Sequence, residues 1–348
     1  MSKLDIQRDV PLAPFTTLGL GGAAKFFIRV EDEPGLLRSL NWASDQGVRA
    51  TVLGGGSNLI VPDAGYDGLV IQMGISALDL YEDGHARVGA GVPWETVVDS
   101  AVSCGWAGVE CLTGIPGSTG ATPIQNVGAY GQEISEVIDC VHVVRRDSLQ
   151  SEVLAAAECG FSYRDSLFKR RPERFIVTAV ELVLRPGGRA TIRYAELEKH
   201  VGHGASLDEV RNAVLDLRRR KSMVIDPSDP NRQSAGSFFL NPIVASAEAD
   251  RLAEKAAKDG IVDSPTEVPR YRADGDRTKL AAGWLIEKSG IAKGTRRGPI
   301  GVSTKHALAL VHHGGGSTAE LLAFADEIRS RVENRFGIRL EREPRILR

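Results

Sequence analysis

Apolar and polar positions along the first fifty residues change period twice. "AKFFIRV" (24–30) is apolar except for Lys25 and Arg29, as a largely buried strand is, whereas "PGLLRSLNWASDQG" (34–47) sets Leu36, Leu37, Leu40 and Ala43 on one side of a helix. "ATVL" (50–53) predicts the next strand and closes a βαβ unit at a glycine-rich turn. A second helix is predicted from Pro93, a residue suited to the first helical position, through Val97, Val98, Ala101 and Val102 to Gly105. Strand patterns return at "VIDCVHVV" (137–144) and "FIVTAVELVL" (175–184), and an amphipathic helix near 207–221 carries Val210, Val214 and Leu217. The Pro/Asp-rich "DPSDPNRQ" (226–233) is the best boundary in the chain, and an α+β segment follows from "AGSFFLNP". Its last helix has a capping box at Ser317 and Glu320, a stripe of Leu321, Phe324, Ile328 and Val332, and Gly337 as its stop.

Two stretches carry no such period. "VLGGGSNLIV" (52–61) sets three glycines and a Ser-Asn pair between apolar runs, so that bare N–H groups can approach a ligand as they do around phosphate. "GVECLTGIPGSTGATPIQNVGAYG" (108–131) is long, rich in glycine and without helical or strand alternation. Its Ile115, Ile124, Val127 and Tyr130 argue for an ordered, functional loop, since a solvated tail lacks such residues.

At 348 residues the chain predicts two or three domains. A formal net charge of -2 with 25% charged residues gives no field that would draw nucleic acid or an anionic membrane, and "RRDS", "KRRPER" and "RRG" are scattered among acidic neighbours. "FIVTAV" is far too short to span a bilayer, and "MSKLDIQRDV" has no apolar signal core, so a cytoplasmic chain is expected. Cys104, Cys111, Cys140 and Cys159 form no C-x-x-C pair, and reduced, buried thiols are expected. His200 and His203 lie in a glycine-flanked loop and His312 and His313 are adjacent, which makes no convincing metal set; no metal is expected.

"GLGGAA" (19–24) has the Rossmann spacing but precedes a strand instead of opening a helix, and "GGGSN" lacks the Lys-Ser/Thr of a Walker loop. Two glycine-rich loops separated by one small α/β unit can still grip the two phosphates of one dinucleotide. In "GSFFLNP" a period of two puts Ser237, Phe239 and Asn241 on one strand face, with Phe238 and Leu240 on the other. Core packing explains the phenylalanines but not two polar neighbours, each of which needs a partner if buried.

"FTTLGLGGAA", "LGGGSNLIV", "GIPGSTGATPIQNVGAYG", "FSYRDSLFK", "YAEL", "AGSFFLNP", "LAAGWLIE" and "LEREPRIL" occur in an order that resembles the UDP-N-acetylenolpyruvoylglucosamine reductases over nearly the whole chain. The "YAEL" loop resembles the longer, type I form. Resemblance implies an α+β fold in which two FAD-binding subdomains of the vanillyl-alcohol-oxidase type, 1–73 and 74–222, precede a substrate-binding domain, 223–348, whose last residues return to the active site. It implies non-covalent FAD held by Gly54, Gly55, Gly56, Ser57 and Asn58 and by Gly114, Pro116, Gly117, Gln125, Asn126 and Gly128. The implied reaction is NADPH-dependent reduction of UDP-N-acetylglucosamine enolpyruvate to UDP-N-acetylmuramate in peptidoglycan precursor synthesis, with NADPH leaving before the substrate enters.

Carried over by motif, Ser237 is the proton donor, Arg164 a cation on the substrate carboxylate, and Glu343 an aid to polarisation. Read from the residues alone, Arg164 could instead pair with Asp165. Pro344 removes one backbone donor beside Glu343 and restricts it, and Glu341 would share its strand face. On the nucleotide-sugar side the resemblance implies Lys221 and Arg218 of "RRRK", Tyr194 and Asn241 near the diphosphate, and His306 near the uridine; without it "RRRK" reads as a solvated helix end. The expected partner is a small-molecule nucleotide sugar, with neither nucleic acid nor membrane, and a monomer is expected. Two other readings stand beside this one: an oxidase of the same flavin fold, many of which tether FAD to a histidine that neither glycine loop contains, and a non-catalytic nucleotide-sugar sensor.

Overall fold

Phe26, Phe27, Ile28 and Val30 are buried along the strand Ala23–Val30, and Leu36 and Ala43 are buried on the helix Glu33–Asp45 that follows it. The helix begins where the Asp32 carboxylate accepts the Gly35 N–H at 2.6 Å, satisfying one of the donors a helix start leaves open. These elements belong to a computed structural model that describes residues 4–202 and 204–348. Met1–Lys3 and His203, the latter weighed above as a metal ligand, lie outside the described residues. Chain contacts divide the protein into two compact units, the first comprising residues up to Pro11, Ala23–Gly56 and Tyr66–Ile225, the second Leu12–Gly22, Ser57–Gly65 and Asp226–Arg348.

In the first unit, the strands Gln7–Pro11, Ala23–Val30, Tyr66–Met73 and Arg49–Leu53 form one sheet in that order, antiparallel at the first pair and parallel thereafter. Tyr66–Met73 thus lies between the two strands of the predicted βαβ unit, and its Leu69, Val70 and Ile71 are all buried. A second, antiparallel sheet runs Ser151–Ala155, Ile138–Arg145, Phe175–Val183, His85–Gly89 and Leu78–Leu80. The helix Trp94–Ser103 starts one residue later than predicted, because Pro93 has ψ 132° and stands outside it as the cap. The predicted stripe of Val210, Val214 and Leu217 is buried on the helix Leu207–Arg220.

The second unit has an antiparallel sheet of Ser234–Ser237, Ala309–His312, Ile300–Val302 and Arg296–Arg297. The helix Thr318–Phe336 packs on it, with the expected Ser317/Glu320 capping box, the predicted four-residue stripe buried, and Gly337 at φ +71°. Leu18, Leu20 and Ile60 are buried in the same core. The terminal strand Arg345–Ile346 pairs in parallel with Leu59–Ile60.

Two expectations need correction. The strand through "GSFFLNP" ends at Ser237 after a register shift, with Gly236 at φ +70°, so the period of two fails: Phe238 and Phe239 are both buried and stack edge to face at 5.3 Å. All four cysteines are free, as expected, but only Cys111 and Cys159 are fully buried and Cys104 is exposed. Among the described residues, no helix is long and apolar enough to cross a membrane.

Candidate active site

The long loop of 108–131 is ordered because its polar groups have partners inside the first unit. Glu110 is fully buried, and its carboxylate accepts the N–H groups of Gly108 (2.7 Å) and Thr191 (2.7 Å) and the Gln132 amide (2.8 Å). The start of the helix Trp94–Ser103 fixes the middle of the loop: Trp94 donates its main-chain N–H to Gly117 O (3.0 Å) and its indole N–H to Leu112 O (2.9 Å). The Glu95 carboxylate receives the Thr113 hydroxyl and the Gly114 N–H. A loop made this way is long yet has few unpaired buried groups.

The two glycine loops touch. A Cβ on Gly55 would lie 2.6 Å from Gly117 Cα and 3.1 Å from Ser118 N, so bare main chain meets bare main chain there. Gly117 sits at φ +133°, which a side chain would resist. Pro116 and Gln125 are partly buried in the same loop. Main chain without a Cβ lines this junction, which suits the close approach of a pyrophosphate.

Arg164 is tied to this loop. Its guanidinium donates to Asn126 O (3.2 Å) and Gly128 O, while Asp165, its alternative partner, pairs with Arg170. The Asn126 side chain, 1% exposed and at φ +40°, is engaged on both ends: Nδ2 donates to Glu133 and Ser162 O, and Oδ1 accepts the Ser135 N–H.

A second cluster gathers Tyr194 and Lys221. Tyr194 meets Tyr130 edge to face at 5.4 Å, Lys221 Nζ lies 5.9 Å from the Tyr130 ring centre and donates to Glu196 at 2.6 Å. In the sequence Tyr130 reads only as an apolar loop residue; its place between an aromatic and a cation exists only in the fold. Burial pushes its phenol up to about 12. Arg218 is buried rather than solvated, donates to Gly114 O (3.1 Å) and Met223 O (2.8 Å), and burial lowers its guanidinium to about 10. "RRRK" therefore splits: Arg219 and Arg220 face solvent, Arg218 props the glycine loop and Lys221 joins the tyrosines.

In the second unit, Ser237 and Glu343 lie on neighbouring segments. Ser237 is registered opposite Ala309, Phe238 donates its N–H to Leu308 O (2.7 Å), and Glu343 donates its N–H to Phe238 O (3.0 Å). One residue on from Pro344, Arg345 donates to Asn58 O (3.1 Å), so the chain changes partner at the proline. Glu341 is exposed where Glu343 is half-buried. Ser57 O accepts the Thr17 hydroxyl, and Asn241 accepts the Ala282 N–H at 3.0 Å. His306 Nε2 lies 3.5 Å from Ser237 Oγ.

His312 is buried between Leu18 O and the Gly316 N–H, and His200 lies against Glu196 O, so these histidines have structural partners. Cys140, His142 and Glu181 come within 4.8 Å of one another on the antiparallel sheet of the first unit; His142 and Glu181 already bond at 2.7 Å, and burial holds the Cys140 thiol up at about 11.

The family model for the FAD binding domain matches residues 24–150, and that for the C-terminal domain of UDP-N-acetylenolpyruvoylglucosamine reductase matches residues 227–347. The chain is 47% identical to the UDP-N-acetylenolpyruvoylglucosamine reductase of Thermobifida fusca (strain YX), over 97% of this chain and 96% of that one. It is 43% identical to the protein of the same name from Streptomyces coelicolor, over 97% and 88%. The crystal structure of the reductase (MurB) from Thermus caldophilus superposes over 100% of each chain with TM-score 0.67 at 26% identity. These matches bear out the α+β flavin fold expected from the sequence.

Proposed function

The chain belongs to the UDP-N-acetylenolpyruvoylglucosamine reductase family, a flavin-dependent oxidoreductase family, and from that premise we propose that it reduces UDP-N-acetylglucosamine enolpyruvate to UDP-N-acetylmuramate with NADPH as co-substrate. Subdomains 1–73 and 74–222 hold FAD non-covalently and 223–348 receives the nucleotide sugar, in a monomeric cytoplasmic enzyme. Gly54–Asn58 and Gly114, Pro116, Gly117, Gln125, Asn126 and Gly128 hold FAD. Because the Asn126 side chain is already engaged and its carbonyl accepts from Arg164, Asn126 contributes by holding the loop in place. The chemistry that FAD supplies when bound is two-electron transfer from the nicotinamide to the enolpyruvyl double bond.

Ser237 donates the proton that completes reduction, Arg164 neutralises the substrate carboxylate, and Glu343 assists polarisation of the double bond. Arg164 is suited to this by its fixed guanidinium, Ser237 by an anchored backbone. A serine hydroxyl is a weak acid, so its surroundings must stabilise the alkoxide or resupply the proton. Tyr194, Lys221, Arg218 and Asn241 recognise the diphosphate end and His306 the uridine end; of these Arg218 acts by holding Gly114, because its side chain is buried.

The observation that carries the reading is the pairing of Ser237's segment with Glu343's through the Glu343 N–H and Phe238 O, in a chain of this family. Ser237→Ala tests it. Bleaching of the flavin by NADPH should persist, while reoxidation by the enolpyruvyl substrate slows by roughly a hundredfold or more, the range general acids contribute. Equal loss in both half-reactions would make Ser237 a packing residue.

A further inference from the structure

We infer that His306, beyond any contact with the nucleotide, is the positioning residue that returns a proton to Ser237 in each turnover; this rests on Ser237 being the proton donor proposed above. As the Oγ–H bond breaks and the new C–H bond forms on the substrate, negative charge gathers on Ser237 Oγ, and a proton delivered there in the same step lowers the barrier to the transfer. His306 Nε2 lies 3.5 Å from Ser237 Oγ, at the long end of a hydrogen bond, and contacts of this kind commonly tighten when substrate binds. Imidazole is the side chain whose ordinary pKa lets it give up and regain a proton near neutrality. In the step inferred, the Nε2–H bond of the imidazolium breaks as Oγ–H re-forms, and the neutral imidazole left behind takes up the solvent proton that each reduction consumes. No electron moves.

The pairing follows from the fold, because Ser237 is registered opposite Ala309, and the turn that presents His306 leads directly into that strand. Fully buried Ser303 receives the N–H groups of Lys305 (3.1 Å) and His306 (3.3 Å) on its hydroxyl, and Ala309 donates back to His306 O (3.1 Å). Asn231, 1% exposed, accepts the Thr304 N–H at 3.0 Å. The turn's main chain is therefore held on both sides of His306, and the imidazole starts from a fixed base three residues before Ser237's strand partner. A residue needed only to bind uridine has no reason to lie against this hydroxyl.

The test follows the two half-reactions separately in FAD-loaded His306→Ala, His306→Gln and Ser237→Ala, by anaerobic stopped-flow with saturating enolpyruvyl substrate. Both His306 variants should bleach with NADPH at close to the unsubstituted rate and reoxidise roughly tenfold to a hundredfold more slowly, within the span of acid–base contributions. Added imidazole should restore much of the rate to His306→Ala, an effect a structural role does not produce. Full reoxidation rates in both His306 variants at saturating substrate, with only the concentration needed for half-saturation raised, would overturn the relay and leave a uridine contact. Slow reoxidation that imidazole leaves unmoved would overturn it also. Ser237→Ala separates the two levels: if that variant reoxidises at the unsubstituted rate, the proton-donor reading itself fails, whereas a slow Ser237→Ala beside fast His306 variants removes the relay alone.

Discussion

Gly55→Ala tests whether the two glycine loops meet as described. The added Cβ would stand 2.6 Å from Gly117 Cα, 3.0 Å from Gly117 C and 3.1 Å from Ser118 N. Favourable carbon–carbon contact begins at about 3.5 Å, so the nearest atom is short by roughly 1 Å. All three atoms are main chain, so no rotamer relieves the clash. Gly117 cannot withdraw freely either, because its carbonyl receives the Trp94 N–H at 3.0 Å. Overpacking of this kind costs about 1–3 kcal/mol. If the strain falls on the FAD-bound arrangement, that range weakens FAD by roughly fivefold to 150-fold, taking about 1.4 kcal/mol per factor of ten. The assay is equilibrium titration of apoprotein with FAD, followed by flavin fluorescence, beside a denaturant midpoint. Gly54→Ala is the internal comparison: its Cβ would meet the Ser118 hydroxyl at 2.5 Å, a group that can rotate away, so its effect should be the smaller. Unchanged FAD affinity and midpoint in Gly55→Ala, or a larger effect at Gly54, would refute the contact between the loops.

Trp94→Phe keeps the aromatic ring but leaves Leu112 O without the indole N–H it receives at 2.9 Å, which should lower the denaturant-derived stability by about 1–3 kcal/mol. In the native protein, exposed Cys104 should alkylate readily while buried Cys111 and Cys159 resist until denaturant is added; mass spectrometry of the labelled peptides reads this directly. Burial raises both of those thiols from 9.0 to about 12, so the unfolded chain loses these protons first. Their contribution to stability is complete below about pH 9 and declines as pH rises from 9 towards 12; urea midpoints of Cys111→Ala and Cys159→Ala should fall less steeply over that interval than those of the unsubstituted chain.

Elements with a sustained period were legible, because a single buried face dictates residue spacing. The helices Glu33–Asp45, Leu207–Arg220 and Thr318–Phe336 came out close to their predicted limits, and the last did so down to its capping box. Tyr66–Met73 was not legible as the strand between Ala23–Val30 and Arg49–Leu53, since strand order in a parallel sheet depends on contacts far apart in sequence. Nor could local pattern show that Leu18, Leu20 and Ile60 join a core with residues beyond 234. The alternation through Ser237 failed for a local reason: a register shift and Gly236 at positive φ break the pleat, so both phenylalanines go inward. The glycine loops were readable as loops, but the Gly55–Gly117 contact and the nearness of His306 to Ser237 exist only once distant segments pair.

The most direct measurement is anaerobic: the FAD-loaded chain is bleached with one equivalent of NADPH and then mixed with UDP-N-acetylglucosamine enolpyruvate, while the flavin absorbance is followed and the product weighed by mass spectrometry. Stoichiometric return of the oxidised flavin spectrum and a nucleotide sugar heavier by two hydrogens are expected. Flavin that stays bleached under the enolpyruvyl sugar and recovers only when oxygen is admitted would contradict it.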